Sequence, residues 1–303
     1  MVHEPTGEQY YLTSADGRVS AHLTQVGATI RGLTVDGVDA IAPYPLGMPA
    51  PAASGTVLVP WPNRIRDGKW SHDGKSYQLW ITDPAYTSAS HGLLRFMPYT
   101  VAEKASDRLT LAATVFPQSG YPFQLDTTVT YALTSDGIEV THVITNVGAD
   151  AAPVAVGTHP YFTVGDVPTE DLVLTSPGAR VITIDDQLLP VGEVPVDAST
   201  DLRRGARLGD VDLNTTYTDL ERDADGILRH HLRAPDGRTV TLWQGEGMDY
   251  AQVFTTDRYP NRPLAVAIEP MSAVPDAFNS GRGLRWLAPG ESWTVSWGVT
   301  YSG

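Results

Sequence analysis

The sequence predicts an all-β protein, a large antiparallel β-sandwich with few short helices. Three observations carry this. Alternating apolar and polar residues recur along the chain, turn dipeptides separate them, and no long segment keeps a helical period. Leu125, Val129, Tyr131 and Leu133 share one face of the run 125–133. Trp293, Val295, Trp297 and Val299 do the same near the C-terminus. Leu264 to Ile268 is a continuous apolar run, the pattern of a strand buried on both faces. Residues 109–116, 181–184 and 239–243 read as further strands. Asp-Gly pairs begin at Asp16, Asp36, Asp67, Asp73, Asp136, Asp225 and Asp236. Each can supply the positive φ that tight hairpin turns need. Short helices are expected around Asp201 to Leu208 and Pro275 to Asn279. Pro43 to Gly55 reads as a long loop, and nothing splits the chain, so a single domain over residues 1–303 is expected.

Composition narrows the function. The 303 residues are 42% hydrophobic and 18% charged, enough for a substantial core. There is no cysteine, which removes thiolate catalysis, thiolate metal sites and disulfides. A chain free of disulfides fits a reducing cytoplasm. The net charge of −14 disfavours nucleic acid and anionic lipid as partners. Met1 to Pro5 lacks the basic and apolar pattern of a signal peptide, and no apolar run approaches the roughly 20 residues of a membrane span. His230 and His231 are adjacent and would face opposite sides of a strand. No zinc, nucleotide or Gly-x-Ser-x-Gly signature is present. Neither a metal nor a cofactor is expected.

Four segments stand apart from ordinary strand or turn sequence: Val59-Pro60-Trp61-Pro62-Asn63-Arg64-Ile65, His91-Gly92-Leu93-Leu94-Arg95, Gly157-Thr158-His159-Pro160-Tyr161-Phe162, and Ile268-Glu269-Pro270 with Ser272 and Pro275 to Asn279. Pro270 cannot donate to a ladder, so the strand is expected to stop there. Glu269 then reads either as a strand-end carboxylate meeting water or as a partly buried acid. His159 reads as a core histidine beside structural aromatics, or as a site residue whose neighbours Tyr161 and Phe162 offer a face to a pyranose. His91 reads in the same two ways as His159, and Asn63-Arg64 fits a surface loop as well as a site.

In this order the four segments resemble the aldose 1-epimerase (galactose mutarotase-like) family over most of the chain, from Gly27-Ala28 to Trp297. The resemblance implies the supersandwich fold of that family and a site with Glu269 as catalytic base and His159 as catalytic acid. It implies His91 as a second site histidine and Arg64 as a contact to sugar hydroxyls, with Asn63 and Tyr161 also at the sugar. One position departs. Where the family usually carries Asp, counting back from Tyr217 gives Asn214, with Asp212 two residues earlier on the same face. An amide can donate as well as accept, so the hydroxyl preference is expected to differ.

The implied activity is interconversion of α and β anomers of a free aldohexose such as glucose or galactose. Here Glu269 would take the C1 hydroxyl proton, and His159, held protonated by nearby carboxylates, would give one to the ring oxygen. Hydrolysis of a glycoside would need a second carboxylate, for which only Asp276 and Asp212 offer themselves. Two alternatives stand: a mutarotase for a 6-phosphate or sulfonated hexose using Arg95 or Arg66, and a sugar-binding protein without catalysis. The expected partner is a small sugar, bound by a monomer or homodimer.

Overall fold

The structure is a computed structural model, described for residues 4–303. The expectation about a signal peptide rests on Met1 to Pro5 and so falls largely outside the described residues. Two antiparallel sheets dominate. The larger has twelve strands, and its main path runs from Gln9–Thr13 through Ile30–Val35, Tyr161–Phe162, Ala265–Met271, Tyr250–Thr256 and Asn214–Leu220 to Pro190–Pro195. The second has nine, with Leu125–Leu133, Gly137–Asn146 and Ser292–Ser302 near its middle. The apolar positions of both sheets meet in one core: Leu12, Leu23 and Leu33 from the first, Leu125, Val129 and Trp297 from the second. Tyr131 crosses between them, donating its hydroxyl to the Ala28 carbonyl. Burial alternates along Leu125–Leu133 and Ser292–Ser302 as their periodicity predicts. Among the described residues no helix is long and apolar enough to cross a membrane.

The turn chemistry follows the sequence closely. Asp36-Gly37 joins Val35 to its partner Val38, and Asp73-Gly74 joins His72 to Lys75. All four turn residues have positive φ, between 49° and 79°, as two-residue hairpins of this hand require. The connection at Asp136-Gly137 is longer, from Leu133 to Ile138. Gly137 is needed there because a Cβ would lie 1.8 Å from the Val299 carbonyl oxygen of the next strand.

Two expectations about local structure change. Asp201 to Leu208 is not helical. Gly205 takes φ +87°, which breaks a right-handed helix, and Ala206–Arg207 pairs with Val173–Thr175. Only a 3-10 turn follows, at Leu208–Asp210. In the other segment Ala277–Ser280 does form one α-helical turn. Nor does Pro270 end its strand, which runs on to Met271 with Pro270 opposite Ala251. On the other edge Ile268 N–H donates to Pro160 and Ser272 N–H to Val156. The nitrogen of Pro270 falls between these two, where the chain at 158–160 leaves the ladder. One donor is lost without breaking the strand.

Candidate active site

A cleft of about 600 Å³ opens over the larger sheet. Glu269 lies mid-strand in Ala265–Met271, not at a strand end, and is 2% exposed. Register places Thr216, Gln252 and Glu269 side by side on three adjacent strands, hence on one face. Asn214 and Phe254 form the next row toward the rim. His159 sits between the short strands Gly157–Thr158 and Tyr161–Phe162. Its backbone is fixed by donation to Thr56 and by the Gly55 N–H it accepts at 2.7 Å. Its Nε2 lies 3.2 Å from Glu269 Oε1. His159 Nδ1 and Glu269 Oε2 are buried without a partner.

Burial decides the charge of this pair. Desolvation pushes the Glu269 carboxyl well above its usual range, opposed weakly by the Arg64 guanidinium. Desolvation likewise lowers His159, with Arg95 and Arg64 adding to the effect. Burial therefore favours a neutral pair with one proton between Glu269 and His159. This corrects the expectation that neighbouring carboxylates hold His159 protonated; among the described residues the carboxylate touching it is that of Glu269, itself too buried to ionise readily.

His91 lines the cleft edge-on to His159, with ring centroids 5.6 Å apart. Its Nδ1 accepts the Asn63 N–H at 3.2 Å, which leaves Nε2 to carry the proton as a donor. Desolvation first, then the neighbouring His159 and the Arg95 and Arg64 guanidinium groups, push His91 well below the usual imidazole range and keep it neutral. The Asn63 side chain accepts the Arg64 N–H at 2.9 Å, and both residues line the cleft. Arg64 is paired to Asp83 at 3.0 Å and lies over the Tyr86 ring at 4.8 Å.

The Pro275 to Asn279 motif works behind this wall. Asp276 donates its N–H to the Arg64 carbonyl and accepts the Arg66 N–H at 3.0 Å. Asn279 closes the same clamp by donating to Asp276. Asp276 is thus committed to backbone and does not line the cleft, whereas Asp212 does. Arg66 is engaged by Asp185 and Gln187, and Arg95 by the Thr82 carbonyl. Neither lines the cleft.

One predicted site residue is misplaced. Tyr161 is fully buried behind His159, its ring stacked on the imidazole at 5.3 Å, and it cannot reach a ligand in the cleft. Phe162 is equally buried. Tyr161 pairs with Ala267 and so shares the face of Glu269, but Tyr44 and Tyr259 pack over it there, the Tyr259 ring 4.6 Å away. The aromatic faces at the cleft are Tyr86 and Phe254. Sequence reading passed over these two, with Asp83, Gln252 and Arg258. A signal existed for one pair, since Gln252 and Phe254 share a face of Tyr250–Thr256. Asp83 and Tyr86 lie in a loop with no periodicity to mark them. Among the described residues no group of three His, Asp or Glu side chains could hold a metal ion.

Fold and cleft together define a galactose mutarotase-like protein of the all-β class. In solved structures the fold recurs in the GalM/aldose epimerase homologue from C. elegans, with a TM-score of 0.85, 17% identity and 97% and 99% of the two chains covered. A galactose mutarotase-like protein from Clostridium acetobutylicum superposes with a TM-score of 0.84 at 17% identity, over 95% and 93%. A model of the aldose 1-epimerase family matches residues 9–300, and the chain belongs to that family. Among relatives, it is 32% identical over 280 residues to the uncharacterised protein YihR of Escherichia coli K12, covering 91% of this chain and 88% of that one. It is 30% identical to galactose mutarotase of Sus scrofa over 163 residues, about half of either chain.

Proposed function

We propose that this protein interconverts the anomers of a free aldohexose, with Glu269 and His159 as its acid–base pair. The observation that carries the reading is their 3.2 Å contact on the floor of a sugar-sized cleft. Ring opening needs a proton removed from the C1 hydroxyl and one delivered to the ring oxygen. A pair holding one proton can do both, once that proton has moved from Glu269 to His159. Glu269 then takes the C1 hydroxyl proton, C1=O forms, the C1–O5 bond breaks, and O5 takes the proton of His159. The pair ends neutral, the state that burial favours, beside the open aldehyde. Rotation about C1–C2 and the reverse transfers close the other anomer. Water already supports the reaction slowly, so positioned proton transfer worth about 10²–10⁴-fold per group is enough.

His91 and Arg64 are proposed to donate to sugar hydroxyls, with Asn63 and Asn214 at the edge. A neutral hexose is the preferred substrate. The cationic residues suggested for a charged sugar, Arg66 and Arg95, are engaged elsewhere, and Arg64 is already paired with Asp83, so a charged sugar would have to rely on Arg258 at the rim. Anomer exchange measured by NMR across neutral, phosphorylated and sulfonated hexoses tests this. Accelerated exchange of neutral hexoses supports the reading. Acceleration of charged hexoses alone overturns the substrate assignment, and sugar binding without acceleration overturns the activity.

A further inference from the structure

The His159 imidazole lacks the second hydrogen bond that usually orients a working histidine. Its Nε2 contacts Glu269, and among the described residues its Nδ1 has no partner. The torsion that turns a histidine ring is broad, so something else must set the plane. The Glu269 contact cannot do so alone, because the proposed reaction carries its proton away to the ring oxygen of the sugar. What flanks the imidazole is aromatic. Tyr161 stacks on one face, with centroids 5.3 Å apart and planes 22° apart, and His91 meets it edge-on at 5.6 Å and 71°. Both are favourable ring geometries.

Tyr161 is itself held from behind. The Tyr259 ring lies 4.6 Å from it, and Ala42 donates its N–H to the Tyr161 carbonyl at 2.8 Å. The Tyr259 hydroxyl donates to the Ala42 carbonyl at 2.8 Å and therefore accepts from Ser54 Oγ at 3.1 Å. Ala42 precedes the Pro43 to Gly55 loop, and Ser54 lies near its end. Gly55 closes that loop at φ +68°, where a Cβ would lie 1.9 Å from the Ile30 carbonyl oxygen, and it donates its N–H to the His159 carbonyl. One loop thus holds the backbone of His159 directly and its ring through two tyrosines. The Tyr161 hydroxyl is buried without a partner, so the flat ring is what this position supplies.

We infer that Tyr161 and Tyr259 are positioning residues for the proton transfer: their stack, tied to the 43–55 loop, keeps the His159 imidazole in the plane that presents Nε2 to Glu269 and to the sugar. Neither tyrosine lines the cleft, so both act only through His159. This deepens the mutarotase reading and rests on it.

The test follows anomer exchange of glucose and galactose by NMR, well below each melting transition, with kcat taken per folded protein. Tyr161→Phe keeps the stacked face and should keep the wild-type kcat. Tyr161→Leu stays apolar but has no flat face. It should lose about 10- to 100-fold in kcat with KM unchanged, the scale of a slightly misplaced catalytic group. Tyr259→Phe keeps its ring and loses both hydrogen bonds; kcat should fall about threefold or more, again at constant KM. A role in stability alone would move the melting temperature and leave kcat per folded protein as it was. Wild-type kcat in folded Tyr161→Leu overturns the proposal. So does a Tyr161→Phe variant as impaired as Tyr161→Leu, which would make the hydroxyl the active part, and so does a defect in KM alone. If Tyr161→Leu does not fold, Tyr259→Phe decides, and an unchanged kcat there overturns the proposal. Each of these outcomes leaves the mutarotase reading intact. A wild-type protein inert on both sugars overturns that reading and this assignment with it.

Discussion

Replacing Glu269 by Gln should lower activity and raise stability at once. The side chain is 2% exposed, and burial lifts its carboxyl from 4.5 to about 8. Between those values the folded protein keeps a proton that the unfolded chain releases, so stability falls as pH rises through the interval. At about 1.4 kcal/mol per unit, the whole excursion is on the order of a few kcal/mol. Gln pays no such penalty, fills the same volume, and can still donate to His159 Nε2 across the 3.2 Å contact. Melting curves of both proteins should therefore coincide near pH 4.5 and diverge toward pH 8, with the variant higher. Polarimetry on freshly dissolved α-glucose and α-galactose should show the variant losing about 10²–10⁴-fold in kcat. A variant that melts lower than wild type at pH 8 refutes the desolvation argument. Near-normal mutarotation in the variant refutes Glu269 as the base.

His159→Asn should reduce kcat more than KM; a pure KM defect would make His159 a positioning group. The pair should give a bell-shaped pH profile, because activity needs one shared proton. With His159 lowered to about 4 and Glu269 raised to about 8, kcat/KM should hold between these values and fall on both sides. A single limb near pH 6.5, the mark of an ordinary histidine, would refute it. Asp83→Ala frees Arg64 and should raise KM about tenfold, worth roughly 1.4 kcal/mol, with kcat little changed; unchanged kinetics would show that the Asp83 pair does not position Arg64. Gly92→Ala places a Cβ 2.2 Å from the Val59 carbonyl oxygen at φ +72°. Denaturant unfolding should show a loss of roughly 2–5 kcal/mol from overpacking and left-handed strain together.

Much of the fold was legible because side-chain alternation is a local property. Leu125 to Leu133 and Trp293 to Val299 show their buried faces in sequence alone. What alternation cannot state is the neighbour. Pro270 looked like a strand end, and only the departure of residues 158–160 from the adjoining edge makes it tolerable. Tyr161 looked like a sugar platform, and the cover of Tyr44 and Tyr259, distant in sequence, turns it into backing for His159. The four distinctive segments did reach the cleft or its supports, although Asp276 serves as a clamp and not as a second carboxylate. Gln252 was hidden because a polar residue in a strand usually faces solvent, and the row Thr216, Gln252, Glu269 exists only once three strands are in register.

The placement of Glu269 mid-strand has a consequence for how such a protein can change. Gln252 pairs with Glu269 on one edge, and on the other the neighbouring chain is held in the ladder on either side of it, at Gly157 and Tyr161, so the proton-handling floor inherits the rigidity of the sheet. Tyr86, Asn214 and Arg258 stand on loops or at strand ends around it. Substitutions there can redraw which sugars fit without disturbing the floor. A library randomised at the rim should yield altered substrate ranges with folding preserved, while one randomised along 265–271 should yield mostly unfolded chains.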